Sequence, residues 1–519
     1  MFGLLLFFTL LVLFIRSPWG QGIIVDRVVN YVSGKTGTEV RIDKLYLTFS
    51  GNLSLKGLYL EDQSEDTLVY SKSLEVSVAL MPLINGDEIN VKSVEWKGLT
   101  AKVIRPSDSE TFNYEFLIDA FAPAPDSTTT TSSTSASPEV IVGNIDFSNF
   151  DLHYQDDIEG MKARLNLGQL TLDMDKMNLE DMSFQLDEIF LADSQILYEL
   201  SNSGPPQSAD SNPTSTAPMA LPTFSVNDLI FENVQVEYKS ATDRTVAILD
   251  FGALKLDMPT MDLNKQEILV DDFTLDKSKV FFEQLSIQNT QAKASKPDIE
   301  EAISFIWPDW KIEVDNISIT QNNIEFKTTT KRPKAGVFNP EWIKLNELNL
   351  ALNDFTYLPQ QAELSIKNLS FIERSGLNLK KFSFDLEVND EALAISQLNL
   401  ITKENTVSGK VKLGYSSVER LINMPDSSSV DLNLEEFKIG LSEASIFSPE
   451  LLNNEYISLI SKKPLTGKLA LKGKLNNISF PVLSVNWGKQ TSLKLSGNIT
   501  DPLDTALLKM NIEQLDIRT

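Results

Sequence analysis

The stretch FSVNDLIFENVQVEY, residues 224–238, alternates apolar and polar residues on both sides of one interruption: Leu229 and Phe231 share one parity, Val234, Val236 and Tyr238 the other. Side chains in a strand point to opposite faces in turn, so this is the pattern of strands with one apolar and one polar side. The next run, Val246 to Met258, behaves alike. Leu249 and Phe251 precede Gly252-Ala253, and Leu254, Leu256 and Met258 follow in the other parity. Keeping all five on one side requires a bulge or kink at that glycine. Phe231, Val234, Val236, Tyr238, Phe251, Leu254 and Leu256 are therefore expected on one face, and Glu232, Gln235, Glu237, Lys255 and Asp257 on the other. Long strands bent repeatedly at Gly or Asn suit a curled sheet better than a flat one.

The same opening recurs along the chain: INVKSVEWKGLTAKV at 89, VIVGNIDFSNFDLHY at 140, the stretch at 224, and WKIEVDNISITQNNIEF at 310. Aligning Val94, Ile145, Leu229 and Ile317 brings Leu99, Phe150, Val234 and Asn322 into one column. Ala101, Leu152, Val236 and Ile324 form the next, then Val103, Tyr154, Tyr238 and Phe326. Only Asn322 breaks the apolar columns. Polar, proline-containing linkers close the first three units, at residues 123–138, 201–223 and 288–298, and their composition predicts mobility. The units at 139 and 224 each read as five strand-like runs; those of the second are 224–232, 234–239, 246–258, 267–276 and 280–287.

Helical signals are few. Ile23, Ile24, Val28, Tyr31 and Val32 recur at helical spacing, with Gly34 or Gly37 as the stop. Later signals are Ile299 to Ile306, Val418 to Ile422, and Pro449 to Ile460 with Ser448 as the cap. These cannot cover the apolar side of every strand. Either a second sheet does so, as in a sandwich, or something other than protein does.

Residues 2–15, FGLLLFFTLLVLFI, carry no charge and cover about 21 Å of a hydrocarbon core near 30 Å. With no basic residue before them and no small-residue cleavage site after them, they read as a membrane anchor, with Phe2, Leu5, Phe8, Leu11 and Phe14 as anchor residues. The missing basic flank leads to the expectation of a start further upstream. The resulting division is an anchor at 1–21, a helix and strands at 22–122, strand units at 139–200 and 224–287, and further strands with short helices at 310–519.

Composition removes whole classes of function. A net charge of -26 over 519 residues opposes binding to nucleic acid, and the absence of cysteine excludes disulfides, thiolate metal sites and Cys nucleophiles. The single histidine, His153, lies on the polar side of its run, where a solvated strand residue is the simpler reading. Asp173 with Asp175, Asp156-Asp157, Asp271-Asp272 and Asp501 with Asp504 are carboxylate pairs, but 72 acidic residues produce such pairs by chance. The GKT at Gly34 lacks the glycine five positions earlier that a phosphate loop needs; Val29 is there. No catalytic residue, metal ligand or cofactor is nominated.

The N-terminal order of these features, in the runs RSPW, SGKTGTEV, IDKLYLTFSGNLSLKGLYLEDQ and VSVALMPLINGDEINVKSVEWKGL, resembles the N-terminal region of the TamB/AsmA-like envelope proteins. It covers residues 1 to about 120; beyond them the likeness rests on the repeats. The resemblance implies a mainly β, elongated, curled groove, or β-taco, held by a single-pass helix in the inner membrane with its bulk in the periplasm. Phospholipid acyl chains would lie on Ile145, Phe150, Leu152, Tyr154 and the seven apolar residues named from the unit at 224. It further implies passive phospholipid transport toward the outer membrane and support of outer-membrane protein and autotransporter assembly with a TamA-like barrel. Such chains continue into a barrel-docking domain, so the expectation here is a fragment that stops short of it. The alternative is a β-sandwich surface or scaffold protein that conducts no lipid.

Overall fold

A computed structural model describes residues 17–48, 52–78, 88–121, 139–178, 183–201, 223–285, 304–503 and 507–519. The proposed anchor, the three linkers, and Pro82 with Asn85-Gly86, residues whose types predict a turn, fall wholly or mainly outside them. Among the described residues the protein is mainly β, with 23 strands in one sheet. No helix among the described residues is long and apolar enough to cross a membrane. The chain divides into two units, Met1–Ala253 and Leu254–Thr519.

The N-terminal unit begins with helix α1 (Pro18–Thr36). Ser17 caps it by accepting the Gly20 N–H, and of the two candidate stops Gly37 ends it, in the left-handed region at φ 73°. Strands β1 (Val40–Arg41), β2 (Lys44–Leu47), β3 (Leu53–Glu61), β4 (Thr67–Val78) and β5 (Glu88–Arg105) follow, then helix α2 (Glu115–Phe121). Next come β6 (Glu139–Asp156), β7 (Met161–Asn178), β8 (Ser183–Leu200) and β9 (Thr223–Ser240); β10 (Thr245–Asp262) begins in this unit. Pairing follows chain order. Strands β1 and β2 both pair with β3, and β3–β4, β4–β5, β6–β7 and β7–β8 are antiparallel, but β5–β6 and β8–β9 are parallel.

The C-terminal unit contains β11 (Glu267–Asp276) and β12 (Lys279–Gln284), which both lie parallel to β13 (Lys311–Lys327). An unbroken antiparallel series runs from β13 through β14 (Trp342–Leu358), β15 (Gln361–Glu373), β16 (Asn378–Asn389), β17 (Ala392–Thr402), β18 (Thr406–Gly414), β19 (Ser429–Ile439), β20 (Leu465–Lys474), β21 (Asn477–Trp487) and β22 (Thr491–Thr500) to β23 (Lys509–Arg518). Three short helices interrupt it: α3 (Val418–Asn423), α4 (Leu441–Ala444) and α5 (Glu455–Ile460).

Five runs per unit is corrected to three long strands in the unit at 139 and to four strands in the unit at 224. The unit at 139 is β6, β7 and β8, of 18 residues each. In the unit at 224 the first two runs are the halves of β9, and the last two, β11 and β12, continue along the same partner. The breaks that look like strand ends are single residues in the left-handed region: Gly98, Asn149, Asp193, Asn233, Lys277, Gln321, Glu347 and Gln397, with φ between 48° and 64°. Such a residue turns the following side chains by one parity while pairing resumes beyond it, which is how a bulge bends a strand. Strand β10 runs through Gly252 and Ala253 and carries no left-handed residue.

Two helical expectations also need correction. Residues 304–306 are not helical, and the rest of Ile299 to Ile306 lies outside the described residues. Ser448 makes no side-chain cap; Pro449–Asn453 is a 3-10 turn, and Asn454 caps α5 by accepting the N–H groups of Tyr456 and Ile457. Helices α2 and α4 carry no strong sequence signal, because seven and four residues are too few for a helical period.

Candidate functional site

The kinks line up. In β5–β6 every pair is 51 residues apart on both sides of Gly98 and Asn149, from Lys97 with Ser148 to Thr100 with Asp151. In β8–β9 the spacing is 40 on both sides of Asp193 and Asn233, and in β11/β12–β13 it is 44 on both sides of Lys277 and Gln321. Equivalent residues therefore stack. Phe184 lies on Phe224 at 5.3 Å, Tyr198 on Tyr238 at 5.9 Å, and Phe282 on Phe326 at 5.8 Å.

The residue after each kink turns inward, and in the N-terminal unit these residues build an apolar seam. Leu99, Phe150 and Val234 follow the kinks of β5, β6 and β9, and with Leu167 and Leu191 they form the buried cluster; Val234 has no exposed surface. Trp96, Phe147, Leu152, Leu165, Phe231, Val236 and Phe251 pack around it half-buried. Phe147 and Phe150 stack at 4.9 Å across the kink at Asn149, and the edge of Trp96 meets both rings, at 6.0 and 5.5 Å. The indole N–H donates to Ser71 Oγ at 2.8 Å. Offset and edge-on ring contacts of this kind add about 0.5–1.5 kcal/mol each beyond the area they bury.

A kink frees backbone groups from the ladder, and buried polar side chains take them up. Ser194 Oγ donates to the Ala192 carbonyl at 2.7 Å and accepts the Gly168 N–H at 3.1 Å. Gly168 is required there: an added Cβ would stand 2.6 Å from the Asp193 carbonyl oxygen. In the C-terminal unit Asn322 has the same task. Its Oδ1 accepts the Ser278 N–H at 2.6 Å, and its Nδ2 donates to the Leu275 and Thr320 carbonyls at 2.8 and 3.1 Å. The exception in the apolar column is a satisfied amide, 1% exposed.

The other side of these strands is charged. Glu95 pairs with Lys97, Asp151 with His153 at 3.1 Å and with Arg164 at 3.4 Å, and Glu237 with Lys239 at 2.8 Å. Arg105 and Asp156 form a two-pronged ion pair where β5–β6 ends, and this pairing holds the Asp156 carboxyl below the usual carboxylate range, against the opposing effect of desolvation. Burial pushes the Tyr154 hydroxyl up.

Of the residues nominated from sequence, Phe150 and Val234 are in the buried cluster and Leu152, Phe231, Val236 and Phe251 pack on it. Tyr154 is half-buried beside Phe112 at 5.7 Å, Tyr238 stacks on Tyr198, and Ile145 is half-buried with its backbone paired to Val94 and Leu172. Leu254 and Leu256 are half-buried in the other unit. The anchor residues Phe2, Leu5, Phe8, Leu11 and Phe14 lie outside the described residues. Sequence reasoning missed Leu167 and Leu191, which sit on β7 and β8 outside the aligned openings, and it placed Leu99 in the column without nominating it. Comparison with protein-family models, with curated protein sequences and with solved structures finds no match to this chain.

Proposed function

We propose that this chain is an inner-membrane-anchored periplasmic β-groove of the TamB/AsmA-like type, which conducts phospholipid between the two membranes and thereby supports outer-membrane protein assembly. One observation carries the reading: the apolar seam of the N-terminal unit is lined mainly by half-buried large side chains, while the opposite face carries ion pairs. A closed sandwich would bury both inner faces against each other. Apolar surface left open costs about 25 cal/mol per Å², so an acyl chain laid on Leu152, Phe231 and Val236 would stabilise both partners. Conduction then needs no reaction and no cofactor, only a continuous apolar floor.

A photocrosslinker placed at Val236 in the full chain tests this. Capture of phospholipid is expected, and Val236→Asp should stay folded while lipid capture beyond the charge falls, because a carboxylate is costly to desolvate. Capture of protein alone, with Val236→Asp unfolding the domain, would establish the sandwich instead. The charge-free run 2–15 supports the anchor, and retention in the membrane fraction after alkaline washing is the expected result.

A further inference from the structure

The C-terminal unit holds a second apolar site of different character. Strand β19 ends at Ile439, and Gly440 turns the chain so that α4 folds back over the ends of β17 and β18. A cavity of about 580 Å³ lies beneath, lined by Phe371, Leu379, Phe382, Leu400, Val407 and Phe447 among others. That volume falls within the range of about 300–1,000 Å³ of small-molecule sites. Glu443 of α4 is on its wall and only 7% exposed.

Every side-chain hydrogen bond of Glu443 falls on one oxygen. Oε2 accepts from Thr402 Oγ1, Asn405 Nδ2 and, at 3.4 Å, the Glu404 N–H. Oε1 has no hydrogen-bond partner among the described residues, and no Lys, Arg or His stands within ion-pair distance of Glu443 or of its neighbour Glu404, whose Oε2 accepts from Ser442 Oγ. Glu404 also lies against Gly440, where an added Cβ would meet its Oε2 at 2.7 Å. A carboxylate that is largely out of water is costly unless its charge is met, and the described residues bring it no cation.

We propose that this cavity binds a single-chain amphiphile with a primary ammonium headgroup: the ammonium donates to Glu443 Oε1, and the chain lies on the phenylalanines and leucines below. A charged N–H donor on a largely buried carboxylate is among the stronger hydrogen bonds available, whereas a carboxylate or phosphate head would face Glu443 and Glu404 and be repelled. The site is independent of lipid conduction, since it lies within one unit and its selectivity comes from one side chain.

Titration calorimetry of the full chain with dodecylamine, dodecanol, laurate and dodecyltrimethylammonium tests it. Dodecylamine should bind one per chain, at least about tenfold tighter than the other three, with stoichiometry and preference kept at high salt, where adsorption to a chain of net charge -26 is screened. Glu443→Gln should lose about tenfold for the amine and change dodecanol little. Ala444→Trp, which fills the cavity and leaves the carboxylate, should abolish both. Equal affinities for amine and alcohol in the unmodified chain, many salt-sensitive sites in place of one, or a Glu443→Gln variant that binds the amine unchanged would each overturn the proposal. Lipid capture at Val236 should be unaffected by either substitution, so the two readings fail separately.

Discussion

The parallel junctions and the antiparallel series of this protein use the same kink in opposite ways. Where β5 lies on β6, β8 on β9, and β11/β12 on β13, left-handed residues face each other across the pair, and the register runs through without a shift. From β13 to β23 the kinks at Gln321, Glu347 and Gln397 meet antiparallel neighbours, and the register shifts, as between Ile319 and Asn322 or Ile395 and Leu398. A parallel neighbour is a translated copy, so its kink coincides; the antiparallel partners in β4–β5, β6–β7 and β7–β8 also hold register across Gly98, Asn149 and Asp193, so the slip at a kink belongs to the C-terminal series. The sequence repeat therefore marks the parallel crossovers, and it fades after residue 310 because the crossovers end there. The buried apolar cluster around Val234 belongs to the N-terminal unit, while both units bury carboxylates, Asp62 and Asp156 in the first and Glu373 and Glu443 in the second.

The largest expected effect tests the apolar seam. Val234→Asp places an unpaired carboxylate at a position with no exposed surface, between Leu99, Phe150 and Leu191. Loss of more than about 4 kcal/mol is expected, enough to abolish the cooperative unfolding transition of the N-terminal unit in urea. Its neighbour two residues on, Val236→Asp, should keep that transition, since Val236 is only half-buried. If both behaved alike, the seam would not be divided into a buried floor and an open side.

The second test reverses the chemistry in the C-terminal unit. Asn322→Leu completes the apolar column that Leu99, Phe150 and Val234 define, yet it orphans the Ser278 N–H and the Leu275 carbonyl. Each orphaned group costs about 1–3 kcal/mol, so destabilisation of about 2–4 kcal/mol is expected in chemical denaturation despite the gain in hydrophobicity. A stabilised variant would mean that the amide is incidental to the kink.

Asn322 also shows how far the sequence is legible. Alternation gives the strands, and alignment of the four openings finds the row that turns inward, because a parallel neighbour repeats the same side chain at the same height. Parity alone places the kink between Phe231 and Val234, where Asn233 holds it. It does not distinguish a kink from a strand end, since both interrupt alternation, and this is why the two kinked strands and one unkinked strand of the unit at 139 read as five runs. The partners of the seam, Leu167 and Leu191, escape because they sit on strands outside the four aligned openings, β7 antiparallel to β6 and β8 parallel to β9. The site under α4 escapes for another reason: Glu443 is one acidic residue among 72, and only the fold brings it over Phe382 and Leu400.

If the kink is one device used in both regions, equal substitutions should have equal effects. Asn149 in β6 and Glu347 in β14 have φ of 57° and 52° and exposed side chains. A β-branched residue is strained there, so Asn149→Val and Glu347→Val should each cost about 1–2 kcal/mol. Glycine at either position should be neutral or stabilise by up to about 1 kcal/mol. A cost confined to Asn149 would show that the antiparallel series can absorb the strain by slipping further, which would sharpen the contrast between the two regions.

The smallest expected effect concerns the clamps at the ends of the parallel pairs, Arg105 with Asp156 on β5–β6 and Lys327 with Glu283 on β12–β13. Asp156 Oδ1 accepts Arg105 Nε at 2.9 Å and the N–H groups of Ile158 and Glu159 at 3.1 and 3.2 Å, while the second guanidinium nitrogen reaches Oδ2. The Arg105 guanidinium also lies over the Phe112 ring at 4.8 Å. The arginine contact is the main cause that lowers the folded-state pKa of Asp156, with the two backbone donors adding to it. An unfolded aspartate titrates near about 3.9, so the folded state holds fewer protons just below that pH. The stabilisation is complete above the unfolded value and is lost as pH falls through the lower folded value. Asp156→Asn should therefore reduce the melting temperature of the N-terminal unit by about 2–4 °C at neutral pH. The gap to the unmodified chain should close on acidification below pH of about 4, and the difference between the two chains isolates this group from other carboxylates. A constant gap at every pH would assign the loss to packing at the strand end. A gap that widens in acid would overturn the lowered pKa and with it the role of the clamp.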